Sequence, residues 1–201
     1  MIEPLYSHYL QHPSVSTDSR KVESGQIFFA LRGERFDGNQ YAVEVLERGA
    51  SLAVIDDAQV LNDAPEALKE RLFLVPDVLT ALQQLAAHHR QQFRVWQRPV
   101  PVIGITGTNG KTTTKELTRA VLAQKYNVLA TEGNLNNQIG VPLTLLRVTP
   151  EHEIALIEMG ANHPMDIADL CAIVHPDYGL ITNVGKAHLL VFGSLEGVIA
   201  A

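Results

Sequence analysis

A glycine-rich segment that ends in lysine and threonine carries the strongest chemical signal in this sequence. Its residues are Gly107, Thr108, Asn109, Gly110, Lys111, Thr112 and Thr113. Glycines let successive backbone amides turn inward to form an anion site, and a helix that begins at the same point adds positive charge. In such loops the lysine reaches the β- and γ-phosphates and the next hydroxyl ligates Mg²⁺. We therefore predict that residues 107–113 bind nucleotide phosphates, with Lys111 and Thr112 in these two roles.

This loop departs from the strict phosphate-loop pattern at its first glycine. The pattern G-x-x-x-x-G-K-[ST] requires glycine at position 105, where this chain has Ile105, and Gly104 lies one place early. Ordinary GTPases and many ATPases are therefore a poorer match. The alternative is a glycine turn without a ligand, which the strand predicted before the loop and the helix predicted after it disfavour.

Two further polar residues lie near the ends of predicted strands. Glu158 belongs to the apolar run 154–159, and a buried carboxylate needs a cation or hydrogen-bond donors. A parallel sheet would bring Glu158 towards Thr112, so the sequence allows either a shared Mg²⁺ or a salt bridge to a lysine. His188 follows the strand predicted at 178–182 and could ligate a metal, face a phosphate or have a structural role.

The segment 131–142 is unusually rich in amides and glycines. It contains Asn134, Asn136 and Asn137. Amide side chains can bind a carboxylate, a phosphate or water, but they also favour ordinary turns. The sequence leaves both possibilities open.

A parallel sheet is needed to bring these residues together, and the second half of the chain predicts one. Strands predicted at 100–106, 127–131, 154–159 and 178–182 alternate with helices at 112–125 and 166–174. This alternation is typical of βαβ units, in which ligands bind beyond the carboxyl ends of the strands.

The first half predicts a smaller α/β domain. Apolar runs at 27–31, 51–55 and 72–75 suit covered strands, and helices are predicted at 41–49 and 77–96. Asp77 is expected to cap the second helix, with His88 and His89 as surface or edge residues. Pro99 and Pro101 indicate a domain boundary, giving domains of residues 1–97 and 98–201.

Composition excludes several classes of protein. The chain has 201 residues, 46% of them hydrophobic, which allows a packed core. A net charge of −6 argues against nucleic-acid binding, and a single cysteine favours a reducing cytoplasm. The first residues do not resemble a signal peptide, and no stretch reaches the roughly 20 apolar residues of a membrane span.

Taken together, these motifs resemble the Mur ligases, ATP-dependent amide-forming ligases of peptidoglycan synthesis. The compact 106–112 loop is similar to that family's phosphate loop, and segments 18–20 and 29–38 are similar to its uridine-nucleotide domain. Segments 133–147 and 157–163 are most similar to the branch that adds D-Ala-D-Ala to UDP-MurNAc-tripeptide. The resemblance implies an N-terminal uridine-nucleotide domain followed by a P-loop-type parallel-sheet ATPase domain.

The resemblance also implies cofactors and residue roles. ATP phosphates would bind Lys111 and the amides of 107–112, and Mg²⁺ would bind Thr112 and Glu158. His188, with Glu158, would approach a second Mg²⁺. The expected substrate-binding residues are Ser19, Arg20, Arg35, Phe36, Asp37, Gly38, Asn134, Asn136 and Asn137. Catalysis would then depend on Lys111, Glu158 and His188.

Two departures from the family pattern qualify the expected activity. Leu190 and Val191 replace an acidic residue and glycine beside His188. The resemblance further implies a metal-binding lysine and a C-terminal domain beyond residue 201, so we expect residues 1–201 alone to be inactive and to self-associate through an unpaired sheet edge. The alternatives are the neighbouring ligase that adds the third amino acid, and a non-catalytic uridine-nucleotide-binding module.

Overall fold

The computed structural model describes residues 2–185 together with Ser194 and Gly197. The chain forms two compact units, residues 1–85 and 86–201. Each unit is built around a four-stranded parallel sheet. The α/β fold predicted from the sequence is therefore confirmed.

The first unit contains most of the short elements. In chain order they are α1 (Ile2–Gln11), β1 (Val15–Ser16), a 3₁₀ turn (Ser19–Lys21), β2 (Ile27–Phe29), β3 (Arg32–Gly33), β4 (Phe36–Asp37), a 3₁₀ turn (Gly38–Tyr41), α2 (Ala42–Glu47), β5 (Leu52–Ile55), α3 (Ala58–Asp63), α4 (Glu66–Lys69) and β6 (Leu72–Leu74). The sheet order is β1-β2-β5-β6, and β3 and β4 form a separate antiparallel hairpin. The all-apolar strands β2 and β5 are buried, as expected for a sheet covered on both faces.

Helix α5 (Val78–Gln92) begins in the first unit and ends in the second. Asp77 caps it by accepting a hydrogen bond of 2.7 Å from the Thr80 amide, as predicted. The surface or edge position expected for His89 is wrong, because its ring is buried and its Nε2 lies 2.8 Å from the Val148 carbonyl oxygen. This burial lowers the pKa of His89.

The second unit contains the elements of the phosphate loop. They are β7 (Val102–Thr106), α6 (Lys111–Leu122), β8 (Val128–Ala130), α7 (Gly140–Leu145), β9 (Ile154–Glu158), α8 (Asp166–Val174) and β10 (Tyr178–Ile181). All strands are parallel in the order β10-β7-β9-β8, and Ile105 of β7 is in register with Glu158 of β9. This pairing brings the carboxyl ends of β7 and β9 to the same edge of the sheet.

The division between the units precedes the boundary predicted at 97/98. The end of α5 belongs to the second unit because Arg90 is buried there and bonds to the carbonyl oxygens of Val174 and His175. The proline-based boundary stays a prediction.

Strand β10 lies at an edge of the described sheet and is exposed along its length. Self-association through this edge also stays a prediction. Within residues that the structure describes, no helix is both long enough and apolar enough to cross a membrane.

Candidate functional site

The loop between β7 and α6 has the backbone of an anion-binding turn. Gly107 has φ of +132° and Gly110 has φ of +80°, values that residues with a Cβ rarely adopt. Gly110 is the residue immediately before helix α6, so the first amides of the helix open onto the loop. Gly107 and Gly110, the two glycines of the sequence motif, are therefore the residues at which this turn requires a positive φ.

The residues after β10 hold this loop in place. Asn183 accepts two hydrogen bonds from the loop. Its backbone carbonyl oxygen accepts from the Thr108 amide at 2.9 Å, and its side-chain Oδ1 accepts from the Asn109 amide at 3.1 Å. Thr182 Oγ1 donates to the Asn109 carbonyl oxygen at 2.6 Å, and the Gly185 amide donates to Thr108 Oγ1 at 2.9 Å. Sequence reasoning missed this role of Thr182–Gly185, although their position after a strand was a usable signal.

Lys111 folds back over the loop. Its Nζ donates to the carbonyl oxygens of Gly107, at 2.6 Å, and Thr108, at 3.2 Å. These neutral acceptors hold the ammonium group above the turn, where an anion could replace them. A phosphate oxygen would be the stronger acceptor, because hydrogen bonds between two charged groups are shorter and stronger.

Glu158 is the centre of the polar cluster next to the loop. Its side chain is 1% exposed, and its Oε1 accepts hydrogen bonds from Thr112 Oγ1 at 3.1 Å and from Asn136 Nδ2 at 2.9 Å. The predicted proximity of Glu158 and Thr112 is thus present in the structure. Of the two alternatives for Glu158, the structure contains the lysine pair, because Lys115 Nζ lies 3.9 Å from Oε2. The shared Mg²⁺ stays a prediction.

The three asparagines of the amide-rich segment have different positions. Asn136 contacts Glu158, whereas Asn137 accepts hydrogen bonds from the amides of Ile139 and Gly140 at the start of α7. The Asn134 carbonyl oxygen accepts from the Asn136 amide within the turn. Of the three, Asn136 lies beside the phosphate loop, and Asn137 has the local turn role that the sequence had left open.

The donors near Thr112 fit a magnesium ion that is completed by phosphate. Glu158 Oε2 is buried and has no hydrogen-bond partner among the described residues, so it is available to a cation. Within that same part of the chain, no three carboxylate, histidine or cysteine side chains gather into a metal site. Mg²⁺ at phosphate sites commonly takes one or two protein ligands and fills the rest with phosphate oxygens and water.

A second candidate site is a cavity of about 410 Å³ in the first unit. Its lining residues are Thr17, Asp18, Ser19, Arg20, Phe28, Phe36, Gly38 and Tyr41. Asp18 accepts from Arg20 Nε and Nη2, both at 2.8 Å, and this bidentate pair lowers the pKa of Asp18 to about 2. The wall therefore combines an oriented guanidinium group with two exposed aromatic rings, Phe36 and Tyr41.

This cavity includes some of the predicted substrate residues and leaves others out. Ser19, Arg20, Phe36 and Gly38 line it. Arg35 is exposed and is not among its lining residues, and Asp37 caps the 3₁₀ turn by accepting from the Asn39 amide at 2.9 Å.

Two sequence families match the chain. The Mur ligase middle domain matches residues 105–201, which include the phosphate loop and Glu158, and the family described as Mur ligase family, catalytic domain, matches residues 13–90. Together the two matches span most of the chain. The chain belongs to the Mur ligase family.

Known Mur ligases extend well beyond the length of this chain. The UDP-N-acetylmuramoyl-tripeptide–D-alanyl-D-alanine ligase of Bacillus subtilis is 43% identical over 201 residues, which are 100% of this chain and 42% of the relative. The Escherichia coli protein of the same name is 44% identical over 188 residues, covering 94% of this chain and 39% of the relative. The chain therefore spans about two fifths of the length of the curated relatives it matches.

Solved Mur ligase structures have the same fold. MurF from Acinetobacter baumannii superposes with a TM-score of 0.82 at 39% identity, over 94% of this chain and 39% of that chain. MurF ligase from Thermotoga maritima, solved in complex with ADP, gives a TM-score of 0.81 at 36% identity, over 94% of this chain and 42% of that chain. The family resemblance inferred from the sequence is confirmed.

His188, Leu190 and Val191 lie outside the described residues. The predicted role of His188 at a second metal ion, and the effect of the Leu190–Val191 departure, stay predictions.

The two positive-φ glycines give a matched test of the Mur ligase loop. In Gly107→Ala, a Cβ would meet the Thr182 hydroxyl and approach the Asn183 carbonyl oxygen to 2.9 Å, whereas at Gly110 nothing lies within 4 Å. We expect backbone strain and this clash, about 2 kcal/mol together, to weaken MgATP binding about 30-fold in Gly107→Ala. Gly110→Ala adds about 1 kcal/mol of strain and should weaken it only about fivefold. Titration calorimetry measures the MgATP affinity of both variants. Equal losses of affinity would show that the close approach of residue 107 to Thr182 and Asn183 is unimportant.

Proposed function

We propose that this chain is the substrate-binding and nucleotide-binding part of an ATP-dependent ligase that joins D-Ala-D-Ala to UDP-MurNAc-tripeptide. The observation that carries the proposal is the phosphate loop with Glu158 hydrogen-bonded to Thr112 at 3.1 Å. An anion-binding turn beside a buried carboxylate with a free oxygen is suited to a nucleotide with its magnesium ion. The names of the B. subtilis and E. coli relatives supply the substrate pair.

In this proposal the second unit binds and orients the triphosphate. The amides of 107–112 and the Lys111 ammonium bind the phosphate oxygens, while Thr112 and Glu158 hold Mg²⁺. The ion, when bound, withdraws charge from the γ-phosphate and so favours its transfer. Asn136 keeps the Glu158 carboxylate turned towards Thr112 through its 2.9 Å hydrogen bond.

The reaction forms an amide through an acyl phosphate. The tripeptide carboxylate attacks the γ-phosphorus of ATP and ADP leaves. The neutral amine of D-Ala-D-Ala then attacks the acyl carbon and loses a proton to solvent, and inorganic phosphate leaves with the former carboxylate oxygen. The first step brings a carboxylate to a triphosphate, and the second develops negative charge on a tetrahedral intermediate and a leaving phosphate. Oriented cations and N–H donors are therefore the main catalytic requirement. A nucleophilic side chain is not needed.

In the first unit, the 410 Å³ cavity is the proposed site for the uridine diphosphate group. Arg20 offers positive charge to the diphosphate, and Phe36 or Tyr41 offers an aromatic face to the base. The ligase that adds the third amino acid is not favoured by any observation on this site, and the relatives named above all belong to the D-Ala-D-Ala branch.

The first test is titration calorimetry of this chain with UDP-MurNAc-tripeptide in buffer without ATP. We expect saturable binding that UDP competes away. Arg20→Ala should weaken it about tenfold, because the variant loses the guanidinium and leaves the Asp18 carboxylate with only its longer, 3.9 Å pair to Lys21.

Lys21→Ala is the matched control, since Lys21 is the next residue, is 80% exposed and is not among the lining residues of the cavity. We expect its affinity to stay within about twofold of the original. Equal effects of the two substitutions would argue against the cavity as the uridine site. An absence of binding by the folded chain would remove support for the substrate assignment.

A further inference from the structure

A lysine that sequence reasoning did not single out lies at the core of the nucleotide site. Lys115 is one helical turn after Lys111 on α6, and its side chain is 0% exposed. Its ammonium donates to the Thr131 carbonyl oxygen at 2.6 Å, pairs with Glu116 at 2.9 Å and lies 3.9 Å from Glu158 Oε2. A charged group is rarely buried unless partners of this kind compensate for lost hydration.

These contacts connect the three elements that form the site. Lys115 belongs to α6, Thr131 follows β8, and Glu158 ends β9. Thr131 links the other two directly, because its carbonyl oxygen accepts from Lys115 and its Oγ1 accepts from the Glu158 amide at 2.9 Å. The Glu158 backbone and the Lys115 ammonium are thus fixed to the same residue.

The Glu158 carboxylate has different surroundings on its two oxygens. Oε1 accepts from Thr112 and Asn136, while Oε2 has no hydrogen bond within the described chain and faces the Lys115 ammonium. Lys115 therefore supplies a positive charge on the side of the carboxylate that Thr112 and Asn136 do not contact. In a buried setting, attraction between such charges is only weakly screened.

We propose that Lys115 is a positioning residue of the cation site, a buried counter-ion that holds the Glu158 carboxylate in the orientation that receives Mg²⁺ beside Thr112. The Lys115 ammonium lies closer to Glu116, at 2.9 Å, than to Glu158, at 3.9 Å, and Glu116 also pairs with Arg119 at 3.6 Å. Because the ammonium is shared in this way, it orients the Glu158 carboxylate without fully neutralising it, and the carboxylate keeps its attraction for a cation. The inference deepens the proposed function and rests on it for the identity of the ligand.

The test uses Mn²⁺ as a paramagnetic substitute for Mg²⁺ and needs no turnover. Free Mn²⁺ is measured by electron paramagnetic resonance while it is titrated into this chain saturated with ADP. For Lys115→Met we expect about tenfold weaker Mn²⁺ binding, while ADP affinity in EDTA stays within twofold. Lys125→Met, which changes an exposed lysine beyond the end of α6, should change neither quantity.

A double-mutant cycle separates positioning from a general structural effect. If Lys115 acts through the Glu158 carboxylate, Lys115→Met should cause no further loss of Mn²⁺ affinity in a Glu158→Gln background. An equal tenfold loss in both backgrounds would overturn the inference. Unchanged Mn²⁺ binding in Lys115→Met alone would overturn it as well.

A second variant keeps the test decisive if Lys115→Met does not fold. Lys115→Gln retains a donor for the Thr131 carbonyl oxygen but removes the charge, and we expect the same loss of Mn²⁺ affinity. Binding equal to that of the unsubstituted chain would overturn the counter-ion role. Failure of the unsubstituted chain to bind Mn²⁺ with ADP would instead contradict the proposed function, so the two failures are distinguishable.

Discussion

Replacing Lys111 by methionine is expected to weaken MgATP binding by about 100-fold. The ammonium group lies above the phosphate loop, held by the carbonyl oxygens of Gly107 and Thr108. In the complex, phosphate oxygens would replace these neutral acceptors. Loss of hydrogen bonds between charged groups typically costs about 3 kcal/mol, which corresponds to that change in affinity. Titration calorimetry of the two chains with MgATP gives the ratio directly.

Two controls make the Lys111 result specific. Lys125→Met removes the same charge from a residue outside the loop and should leave the affinity within twofold. The thermal unfolding midpoint of Lys111→Met should match that of the original chain, because Lys111 is only partly buried and its hydrogen-bond partners are neutral loop carbonyls. Unweakened ATP binding in a folded Lys111→Met chain would contradict the assignment of the loop.

Replacing Arg90 by methionine is expected to reduce the free energy of unfolding by about 3 kcal/mol. The Arg90 side chain is 1% exposed, and its guanidinium donates to the carbonyl oxygens of Val174 and His175 and to Asp177, each at 2.8 Å. Methionine fills much of the space but leaves the carbonyls at the end of α8 without this donor. For a chain of this size the loss corresponds to a fall of about 9 °C in the midpoint of thermal unfolding.

Arg94→Met is the matched control for Arg90. Arg94 also pairs with Asp177, at 3.1 Å, but its side chain is 61% exposed, and exposed pairs contribute about 0–1 kcal/mol. If the two substitutions lowered the free energy of unfolding by comparable amounts, burial of the Arg90 hydrogen bonds would not be what stabilises the second unit.

The pH dependence of stability gives an independent check of the Arg90–Asp177 pair. Burial alone would raise the pKa of Asp177, but the Val102 amide and the Arg90 guanidinium outweigh it, so the pKa lies below its usual value near 3.8. The paired carboxylate therefore stabilises the fold above that value, and this contribution is lost as the pH falls through the lowered pKa. We expect the stability difference between the original chain and Arg90→Met to shrink as the pH falls below 3.8 and through the lowered pKa of Asp177. Urea titrations at several pH values measure this difference, and a constant difference would contradict the role of Asp177.

Local patterns were sufficient for the elements that build the candidate nucleotide site. The predicted strands at 100–106 and 154–159 and the predicted helix at 112–125 correspond to β7, β9 and α6, since apolar periodicity and capping act over a few residues. The same patterns missed α7, because the amides and glycines of 131–142 favour turns and its helix is only six residues long. They also missed α1 and the β3–β4 hairpin, which are short and have weak periodicity.

The surroundings of each polar residue were less predictable. His89 lies on a helix with an apolar side and was expected at the surface or an edge, yet its ring is buried against Val148. Arg35 lies beside Phe36 in sequence, but of the two it is Phe36 that lines the first-unit cavity. Such outcomes depend on which distant segment packs against the residue, and a single sequence does not contain that information.

The sequence by itself determined the phosphate loop and the α/β fold, because the order strand, glycine turn, lysine and helix fixes its own geometry over about ten residues. Only the tertiary structure decided what Glu158 faces. The register of β9 on β7 brings Glu158 to Thr112, the turn after β8 adds Asn136, and the burial of α6 adds Lys115. These contacts join residues up to 46 positions apart along the chain, so they exist only once the parallel sheet has formed.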